Sequence, residues 1–218
     1  MMKSPLDQEL SMLSRELLVM GTLCEEALTM TSLALHSGDR EQKARVKALE
    51  ESIDQKERTI ETSCLRLLLR QQPVARDLRQ ISATLKMITD LERIGDQAAD
   101  ISEILLQRDT PFCETHDLVA EMADAATRMV TGGVEAFVRQ DTALAEAVIA
   151  GDDELDMLFE QIKKRLTLRI AAAPNEGGEA VDLLMIAKYL ERIGDHAVNV
   201  AEWAMFSVTG VHGGETEL

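Results

Sequence analysis

Apolar residues recur every three or four positions along most of the chain, which is the spacing of one face of an α-helix. Two segments show the pattern most clearly, and each places its apolar residues on one side of a helix. In the first segment these residues are Leu91, Ile94, Ala98, Ile101 and Leu105, and in the second they are Leu190, Ile193, Ala197 and Val200. The pattern predicts long amphipathic helices that each bury one face.

Turn-forming residues divide the first half of the chain into three helices. Pro5 can open the first helix, and residues 36–39 read as a glycine stop followed by an aspartate N-cap for the second. The second helix runs towards Gln72, where the next residue is a proline that restarts the chain. The third helix continues to about Gln107, before the break at Asp109-Thr110-Pro111.

The second half contains similar signals for the start and end of helices. One helix is predicted over residues 115–139, and a second one follows Asp141 and ends before the loop at residues 174–178. A last helix reaches about Val208, and we expect the tail over residues 210–218 to be disordered.

Short connections between long helices favour antiparallel neighbours. The fold class predicted from the sequence is therefore all-α, with two tandem, pseudo-repeated antiparallel three-helix bundles and six long helices. The first bundle is expected over residues 1–109 and the second over residues 110–209.

The chain contains an internal duplication. The hexapeptide Leu-Glu-Arg-Ile-Gly-Asp occurs at residues 91–96 and again at residues 190–195. In the hexapeptides the offset is 99 positions (190 − 91), and upstream it is 102 (122 − 20). The second copy has thus lost three residues, which we place in the loop around Pro174. The upstream matches are Met20 with Met122, Ala34 with Ala136, Asp39 with Asp141 and Asp54 with Asp156.

Composition and charge narrow the class of protein. Aromatic residues make up only 3% of the chain, and 39 acidic against 23 basic residues give a formal net charge of −16. Such a charge opposes binding to nucleic acid and to anionic lipid, so we expect no nucleic-acid partner and membrane association only through other proteins. Three scattered cysteines and no apolar signal core at the N-terminus favour a reducing, cytoplasmic location.

Acidic residues form rows on the helix faces that point away from the apolar side, at about 100° of rotation per residue. On the third and last predicted helices the rows are Glu92, Asp96, Asp100, Glu103 and Glu191, Asp195, Asn199, Glu202. On the preceding helix of each unit the rows are Glu50, Asp54, Glu57, Glu61 and Asp152, Asp153, Asp156, Glu160.

Paired acidic rows suit cation binding. Residues four apart on a helix have Cβ atoms about 5–6 Å apart, so like charges there repel unless a cation lies between them. A solvated helix face would also show an acidic row, but two rows coincide in each unit and the hexapeptide is identical in both. We therefore favour metal binding. Oxygen ligands suit Mg, Mn, Ca or iron, and the chain lacks the E-x-x-H motifs of a buried di-iron centre.

Residues inside and beside the hexapeptides allow further predictions. Gly95 and Gly194 are unfavourable in a helix interior, which indicates close approach of another backbone. His196 is rotated about 140° from Glu191 on the helix and so points away from the acidic row, which favours packing over ligation. The arginines of the two hexapeptides, Arg93 and Arg192, are expected to form local ion pairs.

Three segments of the chain resemble the PhoU family of bacterial phosphate-signalling regulators. They are Gln-Pro-Val-Ala-Arg-Asp-Leu-Arg at residues 72–79, Thr-Asp-Leu-Glu-Arg-Ile-Gly-Asp at residues 89–96 and Leu-Glu-Arg-Ile-Gly-Asp-His-Ala at residues 190–197. The resemblance implies two three-helix bundles whose E/D-x-x-x-D motifs bind multinuclear clusters of iron or zinc at the surface. Those motifs map onto Glu50, Asp54, Glu92, Asp96 and Asp100, then onto Asp152, Asp156, Glu191, Asp195 and Asn199.

The resemblance also implies a function. It suggests negative control of phosphate uptake and of the phosphate-starvation response, through contact with the phosphate-specific ABC transporter and its sensor histidine kinase, and it allows a homodimer. Two departures concern the second unit, which lacks the segment at residues 72–79 and carries Asn199 where the first unit has Asp100. A weaker second metal site is therefore expected.

Two other classes of protein stay open at this stage. A metal-dependent phosphoester hydrolase would use similar carboxylates, but it normally needs an enclosed pocket with a nucleophile or activated water. The acidic rows lie on outer faces, and the sequence shows no glycine-rich phosphate loop and no Ser/His/Asp set. We therefore expect a regulator that is not an enzyme. A helical adaptor without metal is the third class.

Overall fold

The structure is a computed structural model that describes residues 4–37, 40–107, 116–212 and 215–216. Long helices account for nearly all of the described chain, which confirms the all-α prediction. The helices are α1 (Pro5–Ser37), α2 (Arg40–Gln71), α3 (Arg76–Leu106), α4 (His116–Arg139), α5 (Thr142–Ala150), α6 (Asp152–Ala172) and α7 (Gly177–Thr209). A 3-10 turn covers Pro174–Glu176, and two short strands follow α7 at Val211–His212 (β1) and Glu215–Thr216 (β2).

The break between α2 and α3 lies at the predicted proline. Pro73 has no N–H and so cannot continue the hydrogen-bond ladder of a helix. The residues on either side of it turn the chain, since Gln72 has φ 46° and Ala75 has φ 47°. The predicted stop and cap at residues 38 and 39, and the predicted break at residues 109–111, lie outside the described residues.

The middle helix of the second unit consists of two consecutive segments. Asp141 caps the first of them, α5, by accepting a hydrogen bond from the backbone N–H of Leu144 at 3.1 Å. A turn at Gly151 separates α5 from α6, and α6 ends at Ala172 just before Pro174, as predicted. With α5 and α6 taken together, the six-helix arrangement of two bundles is confirmed.

The apolar faces identified from the sequence form the core. Every predicted inward residue on α3 and α7 is buried, including Ile94 and Ile193, which are both fully buried. α1 packs on α2 and α3 in the first unit, and α7 packs on α4, α5 and α6 in the second. The helix periodicity alone was therefore sufficient to identify the core side of these elements.

The two units share an extensive interface in which α3 packs along α7 and α1 along α4. Gly21 on α1 permits close contact there, because a Cβ at this position would lie 2.9 Å from the side chain of Val134 on α4. The predicted division between residues 109 and 110 lies outside the described part of the chain. The interface fixes how the acidic rows of the two units are oriented relative to each other.

The glycines of the two hexapeptides permit close packing, although the neighbour is a side chain and not a backbone. A Cβ at Gly95 would lie 3.0 Å from Cδ1 of Ile53, and one at Gly194 would lie 2.5 Å from Cδ2 of Leu155. The expectation of a close backbone is therefore corrected. The missing Cβ brings the middle helix of each unit close to the helix that carries the hexapeptide.

Part of the C-terminal tail is ordered, which corrects the expectation of disorder for its described residues. Val211 and His212 pair antiparallel with Thr216 and Glu215. The His212 ring lies against the ring of Trp203 on α7, with 3.8 Å between the ring centroids. Residues 213–214 and 217–218 lie outside the described residues.

Among the residues that the structure describes, one helix, α1, is long and apolar enough over Pro5–Leu35 to cross a membrane by length and composition. In this fold its apolar residues contribute to the core of the bundle. Leu13, Leu17 and Met20 are buried in the bundle, so the core accounts for much of the apolar character of the helix.

Candidate metal centre

Carboxylates from two neighbouring helices of the first unit converge on one point. Glu50 and Asp54 on α2 and Asp96 on α3 each offer one carboxylate oxygen, and these three oxygens lie within 4.8 Å of one another. Ligands on opposite sides of a cation with metal–oxygen distances of about 2.0–2.6 Å are about 4–5 Å apart. The three side chains, each partly buried, therefore have the separation that a shared cation requires.

Glu92 and Asp100 extend this group along α3. Burial raises the pKa of Glu92, and the negative charges of Asp96, Glu57 and Asp54 raise it further. Burial also raises the pKa of Asp100, with a further contribution from Asp96. All five residues predicted for the first site thus belong to one electrostatic group, which we call the first acidic cluster (Glu50, Asp54, Glu92, Asp96 and Asp100).

Arginines supply part of the compensating charge around the first acidic cluster. Arg93 lies 3.4 Å from a carboxylate oxygen of Glu92 and 3.1 Å from one of Asp96, which confirms its predicted role as a local ion-pair partner. Arg58 pairs with Asp54 at 3.2 Å. Both arginine side chains are more than half exposed, so they can move aside for a cation at little energetic cost.

Arg192 acts on the opposite unit. Its charge lowers the pKa of Asp100 on α3, although other contributions raise that pKa overall. The local ion pair expected for Arg192 stays a prediction, and the effect of its charge on Asp100 reaches across the interface where α3 and α7 pack together.

The second unit gathers four of its five predicted residues. Burial raises the pKa of Asp152 on α6, and the charges of Asp156 and Asp195 raise it further, with smaller contributions that include Glu191. Burial and then the charge of Glu191 also raise the pKa of Asp195. We call this group the second acidic cluster (Asp152, Asp156, Glu191 and Asp195). Asp156 and Asp195 are exposed, whereas every member of the first cluster is partly buried.

The fifth residue predicted for this site, Asn199, forms a hydrogen bond with a residue outside the cluster. Its side-chain amide donates to Oδ1 of Asp90 on α3 at 3.1 Å. Nδ1 of His196 lies 2.9 Å from the same oxygen, so this imidazole also points away from the acidic row, as predicted. Asp90 went unnoticed in the sequence because its partners are 106 and 109 residues away, and no local spacing reveals such a contact.

The first acidic cluster fits a bound cation best, because Glu50, Asp54 and Asp96 are the group of the described residues whose oxygens converge within 4.8 Å. Burial and neighbouring carboxylates raise the pKa of Glu50, Glu92, Asp100, Asp152 and Asp195, and a bound cation would offset this repulsion. A groove of about 550 Å³ runs beside the first cluster and is lined by Glu50, Asp96 and Asp100 together with Lys47 and Arg93. The carboxylates are thus accessible to ions from solvent.

Two cysteines of the described chain are poor alternatives as ligands or nucleophiles. Cys24 and Cys64 are buried in the helical core. Burial raises the pKa of each thiol to about 12, so neither forms a thiolate at neutral pH. Any metal ion held at the acidic clusters would therefore be bound by oxygen.

The raised pKa values predict how stability depends on pH. Glu50, Glu92, Asp152 and Asp195 all have a higher pKa in the folded chain than in the unfolded chain. Their cost to stability is greatest above the folded pKa values and is relieved as the pH falls through them. Thermal unfolding of metal-free protein should therefore show these carboxyls contributing added stability as the pH is lowered from 7 through their folded pKa values.

The same measurement with Mn²⁺ should show the opposite pH dependence. An ion at about 100 times its Kd stabilises the folded state by about 2.7 kcal/mol. Protons compete for the carboxylates, so the stabilisation should be large at pH 7 and small at pH 5. An equal shift in Tm at the two pH values would contradict cation binding at these clusters.

Comparison with known proteins places the chain in a family. Two stretches of the chain, residues 17–105 and 119–204, match the family model described as PhoU domain. A phosphate-specific transport system accessory protein PhoU homolog of Clostridium acetobutylicum is 33% identical over 208 residues, which covers 94% of each chain. One of Synechocystis is 34% identical over 212 residues, which covers 95% of this chain and 93% of the relative.

A solved structure shows the same fold. The crystal structure of PhoU from Pseudomonas aeruginosa superimposes with a TM-score of 0.89 at 32% sequence identity. The superposition covers 94% of this chain and 99% of that chain. The resemblance found in the three sequence segments is therefore confirmed over nearly the whole length.

Proposed function

The chain belongs to the PhoU family, and from this we propose that it is a cytoplasmic accessory protein of a phosphate-specific transport system. The proposal rests on the match of both repeats to the PhoU domain. It is supported by curated relatives of nearly equal length that carry the name of phosphate-specific transport system accessory protein. In this role the chain would restrain phosphate uptake and keep the phosphate-starvation response off when phosphate is plentiful.

Regulation would occur by protein contact. A formal net charge of −16 disfavours anionic lipid, so a basic or metal-bridged protein surface is the better partner. The proposed partners are the phosphate-specific ABC transporter and its sensor histidine kinase, and self-association into a homodimer is compatible with this role. We do not assign an enzymatic activity, because the first acidic cluster borders an open groove and not an enclosed pocket of the kind that hydrolases use.

Metal ions would be part of this function. We propose that each acidic cluster binds one or more divalent or trivalent ions, with iron or zinc as first candidates and Mg or Mn as alternatives. The convergence of Glu50, Asp54 and Asp96 is the strongest support. The first cluster should bind more tightly, since Asn199 bonds to Asp90 and Asp156 and Asp195 are more exposed to water.

A deletion strain tests the regulatory role. We expect its phosphate-starvation response to stay on in phosphate-rich medium, measured with a reporter of a starvation-induced promoter. The wild-type protein should sediment with membranes only in cells that contain the transporter. Normal repression in the deletion strain, or equal sedimentation without the transporter, would overturn the proposal and favour the hydrolase or the metal-free adaptor.

A further inference from the structure

An apolar groove runs between α1 and α2 on the first unit, away from both acidic clusters. It has a volume of about 330 Å³, and its base is formed by Leu13, Ile60 and Leu67. These three side chains are only 2%, 0% and 4% exposed, whereas Met12 at the rim is 50% exposed. We call this feature the α1–α2 groove. The apolar surface open to a partner is therefore chiefly that of Met12, a flexible side chain beside a buried base.

The duplicated unit changes one residue of this base. The residue 102 positions after Leu67 is Arg169 (67 + 102), which forms an ion pair with Glu179 at 2.9 Å. Both side chains of that pair are largely buried. The repeated helix thus accepts a charged pair where the first unit has a leucine. An apolar residue at the position of Leu67 is therefore not a requirement of the repeat itself.

The two walls of the groove differ in charge. Glu9 and Glu16 line it from α1, and Arg66 lines it from α2. Lys56 pairs with Glu16 at 2.8 Å, whereas the structure describes no ion pair for Glu9 or Arg66. A binding partner would therefore meet an acidic edge on one side, a basic edge on the other and an apolar surface between them.

We propose that the α1–α2 groove binds an amphipathic α-helix of a partner protein. The helix would carry an apolar stripe at positions i, i+3 or i+4 and i+7, with Lys or Arg along one edge and Asp or Glu along the other. A trough between two helices accepts the convex apolar ridge of a third helix. In a symmetric contact, a second copy of this chain would present the same concave surface at this point and so would not fill it. The proposal is independent of the metal ions.

Synthetic helical peptides test this assignment. The probe is a fluorescein-labelled peptide with leucines on one face, lysines along one edge and glutamates along the other. The comparison peptide has lysines along both edges, and fluorescence anisotropy with the full chain at physiological salt gives each Kd. We expect Met12→Asp to weaken binding of the mixed peptide at least about tenfold, because it places a carboxylate at the apolar rim. Circular dichroism checks the fold of this variant.

Charge reversal tests whether the α1 wall is the acidic side of the groove and the α2 wall the basic side. Arg66→Glu makes both walls acidic, so the preference should shift about tenfold from the mixed peptide towards the peptide with two lysine edges. Leu69→Asp and Arg70→Glu are the matched controls, since they make the same chemical changes on α2 at exposed positions that do not line the groove. They should leave both Kd values within about twofold of wild type.

Other results would overturn the proposal. The first is failure of the mixed peptide to bind, and the second is an equal loss of binding in the control variants. Sedimentation of the protein without peptide tests whether a second copy of the chain occupies the groove. A dimer that dissociates with Met12→Asp but persists with Leu69→Asp would assign the groove to a second copy of the chain. Unchanged peptide binding after chelation of metal is expected and separates this proposal from the metal sites.

Discussion

The double variant Asp96→Ala/Asp195→Ala should bind no metal ion, whereas each single variant should retain about half of the metal held by the wild type. Asp96 is one of the three residues whose oxygens converge in the first acidic cluster. Asp195 is coupled to Glu191 and Asp156 in the second. Each substitution removes one proposed ligand from its cluster. Elemental analysis of protein purified without a metal-affinity tag gives the metal content per chain.

The control for this experiment removes the same amount of charge elsewhere. Glu121 on α4 and Glu146 on α5 are exposed and lie outside both acidic clusters. Glu121→Ala/Glu146→Ala should keep the wild-type metal content. Both double variants should stay folded, with stability changed by no more than about 1 kcal/mol in the absence of metal, as is usual at surface positions. Unchanged metal content in Asp96→Ala/Asp195→Ala would refute the assignment.

Truncation of a core residue within the same hexapeptide should lower the stability of the fold, unlike truncation of its carboxylates. Ile193 is fully buried only two positions before Asp195. Ile193→Ala should cost about 2–5 kcal/mol of unfolding free energy, because it loses apolar burial and leaves a cavity. Ile94→Ala should behave alike in the first unit, where Ile94 is also fully buried.

Urea unfolding measures this cost through the shift of the midpoint at constant slope. The contrast between Ile193→Ala and Asp195→Ala separates the structural face of α7 from its ligand-binding face. A cost below about 1 kcal/mol for Ile193→Ala would mean that the helix is rotated relative to the described packing.

Helix boundaries and buried faces could be predicted from the sequence because both depend on local chemistry. Pro73 lacks an N–H, Asp141 supplies a side-chain oxygen at a helix start, and Pro174 follows the end of α6. Apolar spacing then fixed which side of α3 and α7 faces inward. The duplication supported these predictions, because the same hexapeptide on the same kind of helix occurs in both units.

Other features depend on contacts between distant residues and gave no local signal. The turn at Gly151 has ordinary helical φ and ψ, so little in the sequence marks the division between α5 and α6. The C-terminal ribbon places His212 against Trp203, a contact that no spacing predicts. The neighbours of Gly95 and Gly194 also became identifiable only as the side chains of Ile53 and Leu155.

The acidic clusters show the same division between sequence and structure. The sequence by itself determined that each unit carries two carboxylate rows on outward helix faces, because helical periodicity fixes direction within one helix. Only the tertiary structure decided that Glu50, Asp54 and Asp96 meet within 4.8 Å and that Asn199 bonds to Asp90 instead. Such meetings depend on how each helix is rotated and shifted against its neighbours, and the packing of side chains from the whole bundle sets that rotation.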